Sequence, residues 1–233
     1  MRISRRMAVY SQVSKFDPNT DITYTGSRTI LDDGNGNWRV KFLTSGTLTF
    51  LKDPKGIDVF LAGGGGSGGQ AGGGGGGGYT KNIFGISPVK NTGYSIVIGA
   101  GGAAVGSGSG LPGGATSAFG QSVNGGLGGV RSSDNYTRPG GAGGSGGGGY
   151  NSGLGGTDGA NGGADMSAGG VGQHTTTREF GETSGTLYST GGRSGGPTTG
   201  AANTARGGDG FATTGGYYGL AGGSGIAVIR NAA

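Results

Sequence analysis

Apolar and polar positions alternate along the first sixty residues. Ile22 and Tyr24 are separated by one polar residue, and Trp38, Val40 and Phe42 alternate with Arg39 and Lys41. Leu48 and Phe50 then oppose Thr47, Thr49 and Leu51. A period of two predicts strands with one buried face. Asp32-Asp33-Gly34-Asn35-Gly36-Asn37 is a dense turn cluster, and Pro54-Lys55-Gly56 turns the chain into the apolar run Ile57-Asp58-Val59-Phe60-Leu61. Residues 79–99 predict two more strands around the turn Lys90-Asn91-Thr92-Gly93. Residues 224–230, with Ile226, Val228 and Ile229, predict a short strand that needs a partner. The expectation is a small antiparallel β-module over residues 1–62, completed by strands from 79–99 and 224–230. Trp38, the only tryptophan, reads as core packing ahead of a carbohydrate platform.

At Leu61 the pattern changes. Residues 61–80 read LAGGGGSGGQAGGGGGGGYT, and only five of the 66 glycines, Gly26, Gly34, Gly36, Gly46 and Gly56, lie before this point. Glycine costs roughly 0.5–1 kcal/mol against alanine in a helix or strand, so a folded chain this rich in it needs backbones closer than a Cβ allows. The interruptions recur every three residues: Ser67 and Gln70, Ala142 and Ser145, Asn124 with Leu127 and Val130, Arg206 and Asp209. Gly153, Gly156, Gly159 and Gly162 keep the same spacing. Polyproline II turns once every three residues and has no internal hydrogen bonds. The prediction for residues 63–223 is therefore a glycine-rich, polyglycine-II-like bundle of short polyproline-II helices. Glycine would face inward, the interrupting residues would mark boundary or solvent faces, and N–H and C=O groups would bond between helices.

Composition bounds the rest. Hydrophobic residues are 31% of the 233, too few for a large oily core. Glycine content alone would suggest low-complexity disorder; the triplet order argues for a fold. The N-terminal basic cluster Arg2, Arg5 and Arg6 is not followed by an apolar run, and no stretch is long and apolar enough to span a bilayer. The expectation is a soluble protein without membrane insertion, the cluster reading as a solvated tail ahead of a docking site for an acidic partner.

Catalytic constellations are missing from the sequence. The sole histidine is His174 and there is no cysteine, so zinc and Cys-His schemes lack ligands. Matches to GxSxG and GxGxxG are cheap in glycine runs, and the calcium-loop-like GGTDGANGGADM is unrepeated. No enzyme, metal or cofactor is predicted. The net charge of +5 is spread out and there is one Arg-Gly-Gly, at Arg206. Specific nucleic-acid binding is therefore not expected. What remains are polar, aromatic-bearing interruptions between glycine stretches: 131–139, 173–180 and 211–220. Binding loops use such residues, and Arg131, Asp134, Asn135, Tyr136, Arg138, Tyr217 and Tyr218 are the candidate contacts. The alternative for these residues is that they only turn the chain and cap the bundle; for 173–180 the structural role is preferred.

Five stretches in order carry a resemblance: IDVFLAGGGGSGG, GYTKNIFGISPVKNTGYSIVIGAGG, GGATSAFG, TTTREFGETSGTLYSTGG and GGSGIAVIRN. Together they resemble the glycine-rich domain of bacteriophage and prophage virion proteins, over about residues 44–231. The segment TGGRSGGPTTGAANTARGG departs from the near-pure glycine usual there. More distantly the layout is similar to the polyglycine-II domain of T-even phage tail-fibre adhesins and to the glycine-rich antifreeze protein of snow fleas. The resemblance implies a virion structural protein, assembled in the host cytoplasm. It would sit in the tail or another appendage, attach to host cells, and contact other virion proteins and a host cell-surface glycan or protein, alone or as an oligomer. A purely architectural or decoration protein and an ice- or surface-binding protein stay open as alternatives.

Overall fold

A computed structural model describes residues 15–131, 139–149, 160–164, 168–171, 176–213 and 216–232, with the side chains of 211–217 excepted. The described residues are mostly β and irregular, the only helix among them being the single 3-10 turn Glu179–Gly181.

Two antiparallel sheets form the β-module. The smaller has β1 (Ile22–Tyr24) and β7 (Gly93–Ile96) on either side of β4 (Gly46–Phe50). The larger has the order β2 (Arg28–Gly34), β3 (Asn37–Phe42), β12 (Ile226–Asn231), β5 (Ile57–Ala62) and β6 (Thr80–Ile86). The two strands flanking Lys90-Asn91-Thr92-Gly93 thus separate, β6 pairing with β5 and β7 with β4. Period-two alternation places Val40, Phe42, Val59, Leu61, Ala227 and Ile229 on the face that meets Leu48, Phe50 and Ile96 of the smaller sheet. The opposite face carries Phe60, Ala62, Ile226 and Val228, covered by Phe180, Tyr188 and Ala205. Burial on both faces is why β5 reads as an almost unbroken apolar run. Trp38 is 6% exposed, with the ring of Phe16 at 5.1 Å, so it packs in the core. A short hairpin of β8 (Thr116–Ala118) and β9 (Gln121–Val123), which the residue pattern did not reveal, sits beside them.

From β5 the chain runs straight into glycine, and its backbone bonds follow a rotation. Gly63, Gly66 and Gly69 donate to the carbonyls of Tyr79, Gly76 and Gly73. Gly64, Ser67 and Gln70 donate to Gly114, Leu111 and Gly108, while Gly65 and Gly68 donate to Gly223 and Leu220. Each third residue therefore meets the same neighbour, in antiparallel order. The returning stretch repeats this: Gly73, Gly76 and Tyr79 donate to Val130, Leu127 and Asn124, Gly74 and Gly77 to Gly148 and Ser145, Gly75 and Gly78 to Gly208 and Ala205.

Cross-bonds arrange the stretches in three rows. The upper row is 108–114, 124–130 and 139–144, joined by Gly110 N–H to Gly129 and Leu127 N–H to Ala142. The middle row holds 99–102, 63–70, 73–79 and 145–148. The lower row is 220–223, 205–208 and 190–192, joined by Gly223 N–H to Arg206 and Gly207 N–H to Thr190. Side chains have no room between neighbouring stretches: a Cβ on Gly66 would lie 2.1 Å from the Leu127 carbonyl, and one on Gly75 2.1 Å from the Gly66 carbonyl.

The interrupting residues divide in two. Asn124, Leu127 and Val130 face solvent, as their spacing predicts. Ser67 and Ser145 are fully buried, against the expectation of a boundary position. Ser67 fits because its short side chain does a backbone's work, its Oγ accepting the Leu111 N–H at 2.8 Å.

Candidate functional site

The stretches 63–69 and 73–79 are joined by a turn at Gln70 and Ala71, the latter at φ 48°. That turn marks the end of the rows away from the sheets. Gly72 there lies against Val130 and Arg131, Gly210 against Gly72, and Gly219 against Gly68, each through a position where a Cβ would strike backbone. Arg131 is exposed and its N–H donates to Ser109 Oγ at 3.1 Å. The stretch 211–220, expected as a loop, is a hairpin of β10 (Gly210–Thr213) and β11 (Gly216–Gly219). Gly210, Gly216 and Gly219 lower the strand signal, and cross-strand pairing supplies what propensity does not. Tyr218 is half-exposed on it, and Val105 bridges to Gly219.

Asp209 fixes this hairpin to the lower row. Its buried carboxylate accepts the Arg193 N–H at 2.8 Å, the Thr198 N–H at 3.0 Å and an Arg206 guanidinium N–H at 2.8 Å. Ser194 Oγ reaches the Gly72 carbonyl at 3.0 Å. Arg131 and Tyr218 thus share one end of the molecule. Asp134, Asn135, Tyr136 and Arg138 lie outside the described residues, as do His174, the Arg2, Arg5 and Arg6 cluster and the side chain of Tyr217.

A second polar cluster lies at the opposite end, over the outer face of the larger sheet. Glu179, 4% exposed, receives Arg39 at 2.6 Å and the Tyr188 hydroxyl at 2.6 Å, and it pairs with Lys41. Arg39 also holds Glu182 at 2.8 Å and Asp33 at 2.7 Å. Arg230 pairs with the buried Asp58 at 3.0 Å and stacks over the Phe180 ring at 4.2 Å. Phe180 adopts a left-handed φ of 56°, and its N–H donates to Asn82 Oδ1 at 3.0 Å.

Burial alone would raise the Glu179 pKa. The hydrogen bonds from Lys41, Tyr188 and Arg39 outweigh it and hold the carboxyl below its ordinary range. Burial pushes the Tyr188 hydroxyl up, and the neighbouring Glu179 charge adds to this. Both Glu179 oxygens are committed to cations or a hydroxyl. The cluster fastens segment 178–182 to β3 and β12. Among the described residues no group of three His, Cys, Asp or Glu could hold a metal.

A profile of the glycine-rich domain matches residues 43–232. The chain belongs to the glycine-rich domain family. No curated protein matches it. The matched span of this glycine-rich domain begins one residue after β3, yet its last strand, β12, pairs with β3 at Ala227–Phe42 and Ile229–Val40. The domain here is completed by a strand outside the match.

The polar cluster of this glycine-rich domain, Arg39, Lys41, Asp58, Glu179, Glu182, Tyr188 and Arg230, leaves little trace in the sequence pattern beyond the structural role expected of 173–180. One signal was there: an aspartate inside the apolar run 57–61 is rarely buried unless paired. Its partner, 172 residues away, leaves no local trace.

Proposed function

We propose that this chain is a non-enzymatic structural component of a bacteriophage virion, in the tail or another host-facing appendage, with attachment as its role. The glycine rows act as a rigid spacer of short polyproline-II helices. In that conformation successive peptide groups point in three directions, which accounts for the three-way rotation of hydrogen bonds. The β-module joins the particle and other virion proteins. The far end meets a host cell-surface glycan or protein. The virion assignment rests on the order of the five motifs that resemble phage and prophage proteins.

One observation carries the attachment reading: Arg131 and Tyr218, from stretches far apart in sequence, lie at the same end of the rows, opposite the sheets. Among the described residues, few side chains other than theirs are on offer there between glycines. Aromatic and arginine anchors commonly dominate binding energy.

The test is an adsorption assay on intact particles. Replacing Asn135, Tyr136 and Arg138 with serine, and separately Tyr217 and Tyr218, is expected to preserve assembly and to reduce adsorption. Unchanged adsorption in both sets would leave an architectural or decoration protein. A salt-resistant, sequence-selective complex with DNA or RNA would instead favour a nucleic-acid role, because non-specific binding falls steeply with salt.

A further inference from the structure

The two outer faces of the glycine rows differ. The lower row is overlaid by residues 193–204, tied down through Asp209 and by Gly200 N–H to Ala221. It carries the Arg206–Asp209 ion pair. The upper row has no covering segment among the described residues. From Asn91 to Val130 there is not one charged residue, and 139–149 adds none. Three adjacent stretches therefore form a face without charge.

That face is apolar and unfinished. Leu111, Leu127 and Val130 are 47%, 53% and 42% exposed on it. In the stretch 124–130 the peptide groups of Gly126, Leu127, Gly129 and Val130 are engaged on four sides, by 63–69, 73–79, 108–114 and 139–142. The N–H and C=O groups of Gly125 and Gly128, three residues apart, find no partner among the described residues. Inside the rows, groups at this spacing are met by another stretch of backbone. The upper row is in this respect an edge, like the open side of a sheet.

We infer that the upper row is a self-association surface, covered in solution by the upper row of a second copy of this chain about a two-fold axis. The absence of charge selects the occupant. A charged partner would lose hydration there and gain no counter-charge, whereas a face with Leu111, Leu127, Val130 and open glycine peptides matches its own image. An isologous contact needs such self-complementarity. The face spans only three stretches, so the interface falls at the small end of the usual range, with a dissociation constant of about 10–100 μM expected. The inference does not depend on the virion reading.

Sedimentation of the full chain across about 5–500 μM tests it. A concentration-dependent monomer–dimer equilibrium is expected for the native sequence. Leu127→Lys and Leu111→Lys, both at exposed positions, are each expected to weaken it at least about tenfold without shifting the melting midpoint. Arg193→Glu, on the other face, is expected to leave it unchanged. A native chain that stays monomeric throughout overturns the proposal. So does a dimer that resists both lysine variants, or one dispersed by Arg193→Glu alone.

Discussion

Phe42, Phe50, Leu48 and Ile229 fill the space between the two sheets with side chains, each fully buried. A few residues further along, Gly64, Gly66 and Gly75 fill the space between neighbouring stretches with nothing but backbone, each a Cβ's width from a carbonyl. The first region is held by apolar burial, the second by peptide hydrogen bonds that rotate through three neighbours. Their weaknesses are therefore opposite. A side-chain core is harmed by taking atoms away. A glycine interior is harmed by adding them.

The largest effect should come from addition. Gly75→Val would set a branched carbon 2.1 Å from the Gly66 carbonyl, with the Ser67 carbonyl 2.8 Å away. Backbone this close cannot yield, so no soluble folded protein is expected on expression. Recovery of a cooperatively melting variant near the native midpoint would break the comparison. Subtraction in the other region comes next: Phe50→Ala is expected to cost about 4 kcal/mol in urea unfolding.

The joint between the regions gives the third test. Glu179→Gln leaves Lys41 and Arg39 without their buried counter-charge, at an expected cost of about 3 kcal/mol near neutral pH. The Glu179 carboxyl lies below its ordinary value of 4.5 in the fold. Its contribution is thus complete above that value and is lost as pH falls through the lower folded one. The gap between the native chain and the variant should close on acidification; a gap constant down to acid pH would deny the carboxylate this role. The smallest effect has the opposite sign. Gly106 has open space around it and no left-handed φ, so Gly106→Ala should raise stability by about 0.5 kcal/mol. The contrast with Gly75 isolates packing from glycine content.

Local pattern carried as far as physics is local. The alternation of Trp38, Val40 and Phe42, and the apolar run before Leu61, pointed to β3 and β5. The three-residue spacing of Asn124, Leu127 and Val130 pointed to their outward face. Ser67 broke that rule because one hydroxyl can stand in for a carbonyl, which spacing does not encode. The separation of β6 from β7 is set by which sheet each completes. The pairing of Glu179 with Lys41 joins residues 138 apart. At the far end, Arg131 and Tyr218 could be named as candidates from composition, but their placement at one end depends on how the rows stack.

The position of β12 has a consequence for synthesis. β3 and β5 lie parallel on either side of it, each bonded to β12 and not to the other. As the chain leaves the ribosome, both emerge early and must wait for Ile226–Asn231, with every glycine stretch between them made first. Until then two strands rich in valine and phenylalanine keep open edges toward a vacant slot. Folding should thus be slow and late, governed by contacts such as Arg230 with Asp58 across 172 residues. A nascent chain stalled before Ile226 would present that slot to whatever strand comes near.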